Sequence, residues 1–230
     1  MQLLASLMPA LLWPCDTPAL AADAPADPAL LGDWRFDEAG GDAALDGSPN
    51  MLEGEIRGAR WARGRFGGAL YFGGENAYVT LPGLDALDGS EELTVEAWVY
   101  WERGGRYPNI VTGGTWCPGG FLFFVQDDSC SFRMGKPSST ALQVGRDWAE
   151  VSAPLVRFTP NRWYHLAATF RRPDITTYVD GQPVGSAKWD YPVGFAGELQ
   201  LGFWGNPATC HAGLMDNVKV YRRALSGEEV

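Results

Sequence analysis

The chain has 230 residues, 46% hydrophobic and 13% aromatic, with 29 Gly and 16 Pro, which excludes an extended disordered chain and suits many strands joined by tight turns. Its formal charge is −10, and its 18 Lys and Arg are scattered, so the basic footprint that attracts nucleic acid is missing. An acidic surface of this kind suits a solvated exported protein or a calcium-dependent binder.

The first element is the apolar run Leu3 to Trp13, shorter than the roughly 20 residues that span a bilayer. Pro14, Pro18 and the small-x-small triplet Ala19-Leu20-Ala21 follow it, so residues 1–21 read as a secretory signal peptide, although no Lys or Arg precedes the run. The expected destination is secreted, periplasmic or at the cell surface, with no membrane span. Residues 22–29, rich in Ala, Pro and Asp, read as a linker, and residues 30–230 as one domain.

From Asp33 onward no segment sustains a 3.6-residue apolar period, whereas short alternating or apolar runs recur between Gly, Pro, Asn and Asp. Strands are predicted at 32–37, 69–72, 78–81, 93–101, 121–126, 163–171, 175–179, 198–203 and 214–221. That many strands implies an all-β fold of two packed sheets. Asp180-Gly181 tolerates positive φ at both central positions of a two-residue hairpin. Near the end, Ser226 and Glu229 have capping-box spacing and predict a short terminal helix. No repeat is visible, which argues against a propeller or solenoid.

Four ordered segments carry a resemblance. They are LLGDWRFDEAGGDAALDGSPNMLEGEI, with Asp46, Ser48, Asn50 and Gly54 in its loop; GGALYFGGENAYVTLP with ELTVEAWVYW; NRWYHLAATF with TTYVDGQPVG; and GELQLGFWG through GLMDNVKVYRRALSGEEV. In this order the chain resembles the concanavalin A-like, laminin G-like domains of bacterial secreted proteins across residues 30–230. The resemblance implies a two-sheet antiparallel jelly-roll β-sandwich. Function does not follow, because this sandwich carries lectins, adhesion modules, glycosidases and lyases.

Glycosidases of this fold that resemble laminarinases place carboxylates as Glu-x-Asp-x-x-Glu along one strand, so that acid, base and nucleophile share one sugar. Glu91, Glu92 and Glu96 come nearest, but Thr94 and Val95 intervene and no middle Asp is present. No catalytic residue is assigned. His165 lies inside a strand where the family pattern also has His and reads as structural; His211 follows Cys210 on a loop and is open to a ligand or zinc, without a zinc-site spacing. For calcium, carboxylates on the first and last strands would meet if those strands are neighbours, which singles out Asp37 and Asp216. The resemblance implies a structural calcium site there, with Glu38 and backbone carbonyls as helpers, against the plainer reading of two solvated acids. Asp46 and Asn50 make a second oxygen-rich loop that Asx turns explain equally well.

Trp34, Trp61, Trp98 and Trp163 fall in or beside strands and are expected in the core. Trp101, Tyr107, Trp116, Trp148, Trp189, Tyr191 and Trp204 fall in or beside Gly/Pro-rich loops, where exposed rings could stack on sugars. Trp116 and Trp204 lead, each within six residues of a cysteine. Past the leader stand three cysteines, Cys117, Cys130 and Cys210, whose pairing the sequence does not settle. If Asp127-Asp128 is a strand turn, Cys130 faces Val125, which favours a Cys117–Cys210 disulfide clasping the loops of Trp116 and Trp204. The expectation is a non-catalytic binding module for extracellular carbohydrate or a cell-surface or matrix protein. The rivals are a polysaccharide hydrolase or lyase and a structural adhesion or assembly domain.

Overall fold

A computed structural model describes residues 27–74, 76–102, 107–114, 119–126, 128–137, 147–153, 156–195, 197–205 and 209–230. Sixteen strands form among them: β1 (Leu30–Trp34), β2 (Ala43–Ala44), β3 (Gly54–Arg57), β4 (Arg60–Arg63), β5 (Gly68–Gly73), β6 (Tyr78–Leu81), β7 (Glu92–Trp101), β8 (Asn109–Gly113), β9 (Phe121–Gln126), β10 (Ser129–Gly135), β11 (Trp148–Ser152), β12 (Arg162–Arg171), β13 (Asp174–Val179), β14 (Gln182–Lys188), β15 (Leu199–Leu201) and β16 (Ala212–Tyr221).

They build two antiparallel sheets in a jelly-roll sandwich. The first runs β14-β13-β12-β7-β16-β5-β4, with β1 also on β16; the second runs β11-β10-β9-β8-β15-β6-β3-β2. The nine predicted strands are present with adjusted ends. The first stops at Trp34, because Phe36 takes a φ of 60° and turns the chain. The segment predicted at 198–203 keeps its ladder over Leu199–Leu201 alone. Short or mixed strands such as β2, β4 and β14 carry too little alternation to be read in advance.

Asp180 and Gly181 take φ of 50° and 75° and close the β13–β14 hairpin between Val179 and Gln182, as their dipeptide predicts. Cys130 pairs in register with Val125, the facing expected of it, while Asp127 of the expected turn lies outside the described residues. The terminal helix does not form. Glu229 reaches back to accept from the Ser226 amide at 2.8 Å, half of a capping box, but the chain there makes a turn.

Strand parity builds the core. Along β7, Leu93, Val95, Ala97, Val99 and Trp101 point inward and are buried, while Glu96, Trp98 and Tyr100 stand on the outer face. Along β12, Tyr164, Leu166, Ala168 and Phe170 point inward. Opposite them Phe121, Phe123, Phe132 and Met134 come from the second sheet. Each such buried side chain stabilises by about 1.5–3 kcal/mol.

The Asp46 loop is a structural turn. Its carboxylate accepts from the amides of Asp33, Ser48 and Leu52 at 2.8 Å and from the Ser48 hydroxyl at 2.7 Å, and the Asn50 side chain donates to the carbonyls of Leu30 and Leu31. Those bonds saturate the oxygens that a cation would need, so the loop ties β1 down as an Asx turn. Gly54 closes the motif because a Cβ there would lie 2.3 Å from Leu81 Cδ2.

Candidate functional site

The register of the first sheet creates side-chain rows that no single strand contains. Trp163 of β12 pairs with Tyr100 of β7, Tyr100 with Leu214 of β16, Leu214 with Tyr71 of β5, and Tyr71 with Arg60 of β4. Directly opposed residues share a face, so Trp163, Tyr100, Leu214 and Tyr71 form one outward row, each half-buried. Three inter-strand steps make this row about 14 Å long.

The Trp163 and Tyr100 rings meet edge to face at 5.5 Å, and the Arg60 guanidinium lies 4.9 Å from the Tyr71 ring centre. Tyr71 Oη donates to Glu102 at 3.2 Å.

The next row is His165, Trp98 and Asp216. His165 lies against Trp98 at 5.2 Å, Phe66 meets Trp98 edge-on at 5.3 Å, and the Arg65 guanidinium sits 5.2 Å from the Trp98 ring centre. Arg65, Trp98 and His165, with Arg162, Trp163, Asp180, Gly181 and Val230, line a shallow groove of about 540 Å³. Arg162 is paired with Asp180 at 2.8 Å, and Phe66 is 51% exposed.

Beside the groove, on the same face, a charged ladder steadies the sheet. Glu96 lies 3.5 Å from both His165 Nε2 and Lys219 Nζ and accepts from Tyr221 Oη at 3.4 Å. Burial alone would raise the Glu96 pKa, but hydrogen bonding to His165 and the Lys219 charge outweigh it and hold the carboxyl below its usual value. Glu92 is engaged by Arg171 and the Ala224 amide, and Glu91 by Arg172. The three glutamates nearest to a glycosidase pattern are thus occupied in holding strands together.

Asp216 has a different neighbourhood. β5 and β1 pair end to end along one flank of β16, β5 with Ala212–Met215 and β1 with Val218–Tyr221. At their junction β16 bulges, with Asn217 at a φ of 49°. The turn between β4 and β5 drops into this gap, and Asp216 Oδ2 accepts from the amides of Arg65 and Phe66 at 2.8 and 2.9 Å. Asp37, just past β1, accepts from the Gly68 amide at 2.7 Å.

Asp216 is fully buried and its Oδ1 has no hydrogen-bond partner. Burial, aided by the Asp37 charge, pushes its pKa up to about 6 against the pull of the Phe66, Arg65 and Asn217 amides. First and last strands are therefore neighbours, and Asp37 and Asp216 address one turn. Among the described residues no group of three or more His, Cys, Asp or Glu converges as a metal cluster.

The structure redistributes the expected aromatics. Trp101, expected beside a loop, ends β7 on its inward parity and is 1% exposed against Phe158 and His211; Trp189 is 6% exposed in the core. Neither offers a ring face to a ligand, which corrects both assignments. Tyr107 and Trp148 come to one patch on the outer face of the second sheet. There Tyr107 meets Phe124 at 5.9 Å, and Arg133, paired with Glu150, lies over both Phe124 and Trp148. Trp204 is half-buried beyond β15, and Tyr191 is 38% exposed beside Trp189. Trp116 and Cys117 lie outside the described residues, and Cys210 is buried.

Trp98 and Trp163, expected in the core, instead stand on the outer face, and Tyr100 and Tyr71 join them. Counting parity along ELTVEAWVYW exposes the signal: Trp101 belongs with Leu93, Val95 and Val99, and Trp98 with Glu96 and Tyr100. His211, expected on a loop, is fully buried beside Phe72 and Trp101, away from any surface ligand.

Comparison with solved structures gives the same sandwich on several proteins. The binding domain of Paraclostridial Mosquitocidal Protein 1 superposes with a TM-score of 0.68 at 16% identity, over 87% of this chain and 50% of that one. The botulinum neurotoxin serotype G binding domain gives 0.68 at 11% identity, over 87% and 49%. Domain 4 of an extracellular arabinanase from Geobacillus stearothermophilus, solved with arabinotriose, gives 0.63 at 20% identity, over 87% and 95%.

The chain thus spans about half the length of the toxin domains and nearly all of the arabinanase domain. At these identities the likeness is one of fold. No curated protein matches the sequence. A laminin G family model matches residues 72–230, from the end of β5 through β16, and so takes in most of both sheets. On that match, and on the jelly roll that these residues build, the chain belongs to the concanavalin A-like lectin/glucanases superfamily.

Proposed function

We propose that this chain is a non-catalytic carbohydrate-binding module that uses the outer face of its first sheet. The observation that carries the reading is the row Trp163, Tyr100, Leu214 and Tyr71, half-exposed, rigidly spaced by the ladder, and adjoining the Trp98 groove. Flat rings held by a sheet stack on the apolar faces of sugars at little entropic cost, and the flanking Arg162, Asp180 and Glu102 supply directional hydrogen bonds to hydroxyls. The arabinanase domain solved with arabinotriose supports the reading by fold. Residues 1–21, outside the described segment, fit an exported protein, and no helix among the described residues is long and apolar enough to cross a membrane.

The test is calorimetric titration of residues 22–230 with an oligosaccharide panel. Trp163→Ala and Tyr100→Ala are expected to weaken binding at least tenfold while the fold is retained. Undiminished binding by both variants, or release of shortened or unsaturated products, refutes the reading, the second result in favour of a hydrolase or lyase. The patch of Tyr107 and Trp148 is less suited, because Arg133, itself tied to Glu150, lies over Trp148 and Tyr107 packs edge-on against Phe124.

We also infer that the Asp37–Asp216 junction holds a structural calcium ion. The support is the partnerless, buried Asp216 Oδ1 and the Asp37 carboxylate in its field. Two carboxylates supply part of the oxygen set, and backbone carbonyls or water would complete it. Calcium would neutralise the junction and fix the turn that carries Arg65 and Phe66. A rise in melting temperature with calcium, lost in Asp216→Asn, is the expected result; equal melting in calcium and chelator removes the site.

A further inference from the structure

Three of the 18 basic residues stand close together on the strand and turn that border the aromatic row. Strand β4 and the turn after it read Arg60-Trp61-Ala62-Arg63-Gly64-Arg65-Phe66, and all three arginines are exposed. Arg60 lies on the Tyr71 ring, and Arg65 lies on the Trp98 and Phe66 rings, at 5.2 and 5.3 Å. Among the described residues none of the three has a carboxylate partner, whereas Arg162, Arg171, Arg172 and Arg223 are all paired.

In a chain of charge −10 with 28 acids, the guanidiniums of Arg60 and Arg65, without a carboxylate partner among the described residues, are not explained by fold stability. Their environment is suited to recognition. A guanidinium resting on an aromatic face is partly oriented by the ring, and its N–H fork remains open toward solvent. That fork matches an oxyanion bidentately.

The backbone positions of the hairpin are also fixed. Asp216 holds the amides of Arg65 and Phe66, and a Cβ on Gly64 would lie 1.9 Å from the Gly68 carbonyl oxygen, so the turn is tightly closed. Arg65 and Arg60 therefore border the groove and the far end of the aromatic row at set places.

Resting on the reading that the row binds saccharide, we propose that the ligand is an acidic saccharide, whose carboxylate or sulfate groups are held by Arg60 and Arg65 while its rings stack on Trp163 and Tyr100. The nearby acids do not oppose this. Glu102 is engaged by Tyr71, Asp180 by Arg162, and Glu96 by His165 and Lys219, while Asp216 and Asp37 are turned to the backbone amides of Arg65, Phe66 and Gly68. Neutral sugars would use the same rings but leave both forks unfilled.

The experiment is binding of the 22–230 protein to three immobilised oligosaccharide sets, uronate-containing, sulfated and neutral, at low and high salt. Arg60→Ala, Arg65→Ala and Trp163→Ala are run alongside, with a single-stranded oligonucleotide as a polyanion control. The proposal expects one acidic set to bind at least tenfold tighter than the neutral set. It also expects a loss of about tenfold on that set with each arginine variant, a weakening in high salt, and a dependence on Trp163.

The acidic set that binds distinguishes carboxylate from sulfate. Arg65→Lys, which keeps the charge and loses the fork, is expected to recover only part of the affinity. Neutral saccharide bound through Trp163 and indifferent to the arginine variants overturns the acidic specificity while leaving the binding face intact. Saccharide binding that ignores Trp163 overturns both readings. Equal retention of the oligonucleotide and the acidic sets shows simple ion exchange and overturns the proposal.

Discussion

His211 gives the sharpest quantitative expectation. It is fully buried immediately before β16, with Phe72 at 5.9 Å and Trp101 at 6.2 Å between ring centres. Burial pushes its pKa down from 6.5 to about 4; the Leu214 backbone offsets this only in part, since neither ring nitrogen completes a hydrogen bond. In the unfolded chain the imidazole takes up a proton near pH 6.5, while in the folded chain it stays neutral until about pH 4. Between those values the unfolded state holds more protons, so stability falls as pH falls. Each tenfold difference in proton affinity between the two states is worth about 1.4 kcal/mol, so the loss between pH 7.5 and pH 4 is about 3 kcal/mol.

Asp216 works in the opposite sense, because its raised folded pKa, about 6, makes acid favourable to the folded state. The parent's own pH curve therefore mixes two opposed contributions, and a difference measurement is needed. Urea unfolding of the parent and of His211→Leu at pH 7.5, 6.5, 5.5 and 4 cancels Asp216, which both proteins share. The free-energy gap between parent and variant is expected to shift by about 3 kcal/mol in favour of the variant toward pH 4. Parallel losses in the two proteins would refute the buried, neutral imidazole.

Two further outcomes follow from strand parity and burial. Trp101→Ala should cost about 3–5 kcal/mol in urea unfolding, as a large core ring does, whereas Trp163→Ala should stay within about 1 kcal/mol; equal costs would mean that the faces of β7 and β12 are misassigned. Cys130 is fully buried and its thiol pKa is pushed up by desolvation, so it should resist a thiol-specific reagent in the native protein and react on denaturation. Native labelling of Cys130, located by peptide mass, would contradict that burial.

Much of the architecture was legible in the chain because its signals are local. Alternation over a few residues marks β5, β7, β12 and β13, and Asp180-Gly181 announces its hairpin without reference to anything distant. Even the corrected tryptophans were within reach, since parity along β7 separates Trp98 from Trp101.

Relations between strands were not local and were settled by tertiary structure. Tyr71, Tyr100, Trp163 and Leu214 form one row because β5, β16, β7 and β12 are neighbours in a given register, and a one-residue slip would send alternate rings into the core. Arg60 and Arg65 reach that row through the β4–β5 hairpin. Asp37 and Asp216 were paired in advance on the condition that first and last strands adjoin. The junction itself, the bulge at Asn217 and the tight turn from Gly64 arise from β1 and β5 sharing one flank of β16, a long-range packing relation that the local residue pattern does not encode.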